Sequence, residues 1–106
     1  MKVISSVPTN GGELEKNTNL VLIFDEPIDN VSFNKSMLYI EREGNNVDYD
    51  YSINNNELTI TLKSYILGKY YLYLTGYDVL NNLYLKSTSG NNISSDFAMS
   101  FDVIDS

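Results

Sequence analysis

The 106 residues contain no cysteine, no histidine and no tryptophan, and only two prolines. Without Cys there are no disulfides, thiolate zinc ligands or thiol nucleophiles, and without His the commonest metal ligand and the usual general base disappear together. Ser and Thr are plentiful, but no G-x-S-x-G elbow is present and a hydroxyl has no imidazole to activate it. Glu13, Glu26, Glu41, Glu43 and Glu57 could pair for glycoside chemistry only across a cleft, which a small sandwich seldom encloses. The chain is therefore read as non-catalytic. Basic residues are also scarce: seven Lys and Arg against 14 Asp and Glu leave a net charge of −7. Phosphate binding needs clustered cations, so nucleic acid is excluded as a partner, and the acidic surface is wrong for an anionic membrane. No apolar run approaches the ~18 residues that span a bilayer, and none of signal-peptide length follows Met1. No membrane insertion is expected, and the missing cysteines do not by themselves fix a compartment.

What is abundant points to strands. Nine tyrosines and a 42% apolar content suit half-buried sheet surfaces. Asn clusters (Asn45-Asn46, Asn54 to Asn56, Asn81-Asn82, Asn91-Asn92) fall between apolar runs, where Asn tolerates left-handed backbone and closes turns. Val3 to Val7 reads as a first strand, ended by Pro8 and the turn Thr9-Asn10-Gly11-Gly12. In the next strand Leu20, Leu22 and Phe24 share one face and Val21 and Ile23 the other. Met37–Glu43 and Val47–Ile53 flank Gly44-Asn45-Asn46 and predict a hairpin. Glu57–Lys63 and Lys69–Thr75 alternate with Leu58, Ile60, Leu62 and Tyr70, Leu72, Leu74 inward, and Asp96–Ile104 does so with Phe97, Met99, Phe101 and Val103. Ser32–Met37 has room for one helical turn. About seven short strands, with turns every eight to twelve residues, predict an all-β sandwich.

The stretch Asn17 to Asp29, NTNLVLIFDEPID, is the most distinctive piece: Phe24 ends the core face, Pro27 forbids further ladder bonding, and Asp25, Glu26 and Asp29 crowd the strand exit. Together with Val7-Pro8-Thr9-Asn10-Gly11 before it, and Leu58 to Leu62, Gly68, Tyr70 and Asp78 to Asn82 after it, the chain resembles the bacterial Ig-like domains of the S-layer-protein type from Val3 to Val103. The resemblance implies an Ig-like Greek-key β-sandwich of antiparallel strands, with Tyr70 packing inward. It also implies one module, residues 1–106, excised from a larger multidomain protein of the bacterial surface or exterior, with neighbouring domains of the same chain as partners. Residues 83–96 are longer than the family's usual join, and are read as an insertion or extra hairpin. The implied role is structural: to space, orient or stiffen neighbours, with no cofactor. The alternative is an adhesive or carbohydrate-binding accessory module for cell-wall polysaccharide or another surface protein.

Two sets of candidate site residues follow. Asp25, Glu26, Asp29 and Asp78 are the hard oxygen donors from which a calcium site could be assembled if their loops meet at one end of the sandwich. The competing reading is a polar turn that ends a sticky strand. Tyr49, Tyr51, Tyr71, Tyr73 and Tyr84 are the candidate ligand platform, since a phenol offers a flat apolar face and a hydrogen-bonding edge. Against it stands cross-strand packing on a solvated sheet face.

Overall fold

Strand β3 (Leu20–Phe24) shows how the alternation is used: Leu20, Leu22 and Phe24 are fully buried, while Val21 and Ile23 are half-covered. The computed structural model describes residues 1–105. In it, β3 lies between β1 (Val3–Val7) and β7 (Glu57–Leu62), and β6 (Tyr49–Asn54) closes the far edge, giving the all-antiparallel order β1-β3-β7-β6. The second sheet runs β2-β11-β8-β4-β5, from β2 (Gly12–Glu15) through β11 (Phe97–Ile104), β8 (Gly68–Leu74) and β4 (Leu38–Arg42) to β5 (Asn45–Asn46). Facing rows from the two sheets make the core. Leu58, Ile60 and Leu62 come from one, and Leu38, Ile40, Tyr70, Leu72, Leu74, Met99, Phe101 and Val103 from the other.

The local rules hold at the turns. Asn55 adopts φ 58° in the β6–β7 reversal, the left-handed conformation Asn tolerates. Among the described residues no long helix forms: residues 30–32 and 35–37 are single 3₁₀ turns, each capped by a side chain, Asp29 to the Val31 N–H and Asn34 to the Ser36 N–H.

The structure corrects two features of the sequence reading. The hairpin expected from Met37–Glu43 and Val47–Ile53 does not exist as a pair. β4 pairs with β8 on one side, and after the turn at Glu43-Gly44 only two-residue β5 pairs with it on the other; the chain then crosses to the other sheet, where β6 pairs with β7. The crossing leaves the side of the sandwich open, and the ring of Tyr49 fills it, buried, its hydroxyl donating to the Leu38 carbonyl at 2.7 Å. The other correction is β2, absent from the expected strands. After the cis Val7–Pro8 bond the chain leaves the first sheet, and residues 12–15 join the second, parallel to β11, with Gly12 opposite Phe101 and Glu15 opposite Ile104. This parallel pair joins the first and last parts of the chain.

At the β7–β8 corner, Tyr70 enters the core and stacks on Phe101 with centroids 5.3 Å apart and planes at 13°. Its hydroxyl donates to the Ile66 carbonyl at 2.6 Å and accepts from the Ile66 N–H at 3.1 Å. One side chain therefore ties the loop to the sheet packing, the arrangement known in Ig-like folds as a tyrosine corner.

Candidate functional site

At the end of the sandwich where β3 runs out and β11 begins, the FDEPID exit meets residues 76–94. Pro27 has no N–H to give, and its carbonyl accepts from the Thr88 N–H at 3.0 Å; the next residue, Ile28, makes an isolated bridge to Ser87. The Glu26 carboxylate accepts from Asn91 Nδ2 at 2.8 Å and Ser89 Oγ at 3.1 Å. The Asn91 bond, helped by Ser89 and opposed by partial burial, holds this carboxyl below its ordinary range. Asp25 accepts from the Lys2 N–H at 3.0 Å, and Asp29 caps the turn at residues 30–32.

Asp78 is buried, and both its oxygens are used: Oδ2 accepts from Asn81 at 2.6 Å and Asn34 at 2.7 Å, and Oδ1 from the Leu80 N–H at 3.1 Å. These bonds, the Asn81 one foremost, lower its pKa against the cost of burial. Asp25, Glu26, Asp29 and Asp78 thus share one end of the molecule, but each is satisfied by different amides and hydroxyls. Among the described residues no three carboxylates are placed to hold a metal ion together.

The five candidate tyrosines separate into three places. Tyr49 is the buried plug described above, and burial pushes its phenol pKa upward. It cannot serve as a platform, which corrects the reading of it as outward. Tyr51, on the same side of edge strand β6 and opposite Ile60, is nonetheless 40% exposed, edge-on to Phe33 at 4.7 Å. Tyr71 and Tyr73 do face outward on β8, each 40% exposed. Their row is wider than expected, because β4 places Tyr39 opposite Tyr73, stacked at 6.3 Å with planes at 23°. On the other side stand small residues, Ala98 opposite Tyr73 and Ser100 opposite Tyr71.

Tyr84 belongs to residues 83–96. Here β9 (Tyr77–Asp78) and β10 (Leu83–Tyr84) form a two-stranded ribbon, with Tyr84 opposite Tyr77 and ring centroids 4.5 Å apart. The ribbon is anchored by buried Leu85, whose N–H reaches the Gly76 carbonyl, and by Ile93, whose N–H reaches the Leu85 carbonyl. Gly76 has φ 69°, and a Cβ there would lie 2.5 Å from Ile93 Cγ2. Only glycine lets Ile93 seat so closely. The result is an open pocket of about 300 Å³, lined by Thr75, Tyr77, Tyr84, Ile93, Ser95 and Asp96. Tyr39, Tyr77 and Asp96 were missed by sequence reasoning. Period-two alternation from Leu38 carries the signal for Tyr39, whereas the other two depend on how residues 76–96 fold back.

A model of the bacterial Ig-like domain family matches residues 1–103. The chain belongs to that family. The solved structures similar to this Ig-like domain include the N-terminal part of the bacterial S-layer protein SbsC (TM-score 0.65, 16% identity, 96% of this chain) and a longer SbsC structure (TM-score 0.64, 17% identity, 98% of this chain). The domain spans 23% and 13% of those two chains. PcoC, a methionine-rich copper resistance protein from Escherichia coli, is similar over nearly its whole length (TM-score 0.69, 14% identity, 97% of each chain). At these identities the likeness shows the fold alone. No curated protein matches the domain.

Proposed function

We propose that this Ig-like domain is a non-catalytic structural module of a multidomain bacterial protein, secreted or displayed at the cell surface, that spaces neighbouring domains and carries load between them. The observation that supports this reading most is the parallel pairing of β2 with β11. β1 begins beside Phe24, at the far end of β3 from the Lys16–Asn19 turn, and β11 ends at that turn, where Ile104 accepts from the Lys16 N–H. The chain therefore enters and leaves at opposite ends of a body 40 Å long. Tension along that axis pulls β2 and β11 past each other, so their bonds share the load in shear and cannot be unzipped one at a time. The S-layer likeness fits such a role, with further domains of the same chain as its partners. The copper resistance in the name of PcoC is not carried over into this proposal: Met1, Met37 and Met99 are all buried, and the chain has neither His nor Cys to offer a copper ion.

Single-molecule pulling tests the proposal. Stretched through its two ends, the domain should resist more force than when it is held at exposed Lys16 and at the C-terminal end, a geometry that peels β11 from β2. Equal forces in the two geometries would remove the mechanical reading.

A further inference from the structure

The pocket at the β9–β10 ribbon has features that a spacer does not need. Tyr77 and Tyr84 form an aromatic wall, and Tyr77 is fixed by its hydroxyl donating to Asn82 at 2.8 Å. Tyr84 is 46% exposed. Asp96 and Ser95 line the same pocket, and the Asp96 carboxylate and Ser95 hydroxyl engage no partner among the described residues, in contrast to the carboxylates of Glu26 and Asp78. A flat apolar ring that shares a pocket with unspent hydroxyl and carboxylate acceptors matches a pyranose, which has one C–H face and a rim of hydroxyl donors.

We infer that this pocket binds a sugar residue of an uncharged polysaccharide, and that the chain continues over the outer tyrosine row of the second sheet. Thr75 makes the connection. It lines the pocket and, one residue past the end of β8, continues the period-two row of Tyr71 and Tyr73, the latter opposite Tyr39. Ala98 and Ser100 leave the neighbouring surface low, so a chain can lie against the rings. Charge selects the class. Asp96 is at the pocket, Glu41 and Asp102 flank the row with Lys69 as the basic neighbour, and the whole domain is at −7, so a uronate or phosphorylated glycan would be repelled. This inference is independent of the load-bearing reading, since it uses the opposite side of β8 from the core and none of β2.

The test is an amide-resolved NMR titration of the whole domain with cellohexaose, N-acetylchitohexaose and mannohexaose, and with oligogalacturonate as the anionic comparison. Saturable shifts at Thr75, Tyr77, Tyr84 and Asp96 are expected with at least one neutral hexasaccharide, on the order of 1 mM, with smaller shifts at Tyr71 and Tyr73. Tyr84→Ala should weaken binding about tenfold, Asp96→Ala about threefold, and Tyr51→Ala not at all. Both decisive substitutions are at exposed positions, and unchanged melting temperatures would confirm folding. Absence of saturable shifts with all three neutral sugars, preference for oligogalacturonate, or equal binding by Tyr84→Ala would overturn the inference. So would shifts confined to another face, as a protein-docking surface would give.

Discussion

At one end of the sandwich the hydroxyl of Tyr70 spans four residues to Ile66, and the ring that carries it stacks directly on Phe101. At the other end two carboxylates reach across the chain: Asp78 to Asn34 over 44 residues, and Glu26 to Asn91 over 65. The first end is closed by a local contact continuous with the core. The second is closed by long-range polar bonds lying above the core, and it is the one that shapes the ribbon pocket. A module can therefore keep its sheets locked while presenting loops whose order depends on separate chemistry.

The largest effects should come from the core itself. Phe101→Ala or Phe24→Ala removes a fully buried ring and should cost ~3–5 kcal/mol in urea unfolding. A loss below about 1 kcal/mol would show that neither end rests on these rings. Next is Gly76→Ala, which places a β-carbon against Ile93 and a side chain at positive φ. It should cost about 2–3 kcal/mol and open the pocket, so that Ile93 and Tyr84 amides exchange faster while Tyr70 and Leu72 stay protected. Uniform exchange across both ends would erase the distinction drawn between them. Tyr70→Phe keeps the stacked ring and strips only the hydroxyl from Ile66, so about 1–2 kcal/mol is expected, with the loss concentrated in residues 63–68.

How much of this could be read in the sequence follows the range of the interactions. Strands β3, β7, β8 and β11 were legible because their apolar residues alternate within one segment, and so was the inward direction of Tyr70 two residues after Gly68. β2 was hidden because GELE has one apolar residue, Leu14, and its place is fixed by a partner some ninety positions away. Tyr49 and Tyr51 were placed outward because alternation says which residues share a face but not which face is inside. The crossing at Val47-Asp48 decides that. At the acidic end, the carboxylates were visible as a group. The amides that occupy them, Asn34, Asn81 and Asn91, lie in segments whose only sequence signal was turn formation.

The smallest effect separates the two ends most cleanly, because it depends on pH. Asp78 has a depressed pKa when folded, below its ordinary 3.8, so its contribution is fully present above the unfolded value and is lost as pH falls through the folded one. Glu26 behaves likewise from its ordinary 4.5, and Asp48, on the flank of the sandwich, is lowered to about 2, first by the Lys35 ammonium at 2.6 Å and then by the Tyr49 N–H and Lys63. Asp78→Asn should therefore melt below the parent at pH 7, and the gap should narrow as the pH is taken down through 4 toward 2, where the parent carboxylate also gains its proton. Tyr70→Phe, which removes no carboxylate, should show a constant gap over the same range. Thermal melts of both variants and the parent at pH 7, 4 and 2.5 make the comparison. If the Asp78→Asn gap stays constant, the charge on Asp78 is not what orders its end, and shape alone holds the ribbon as it holds the tyrosine corner.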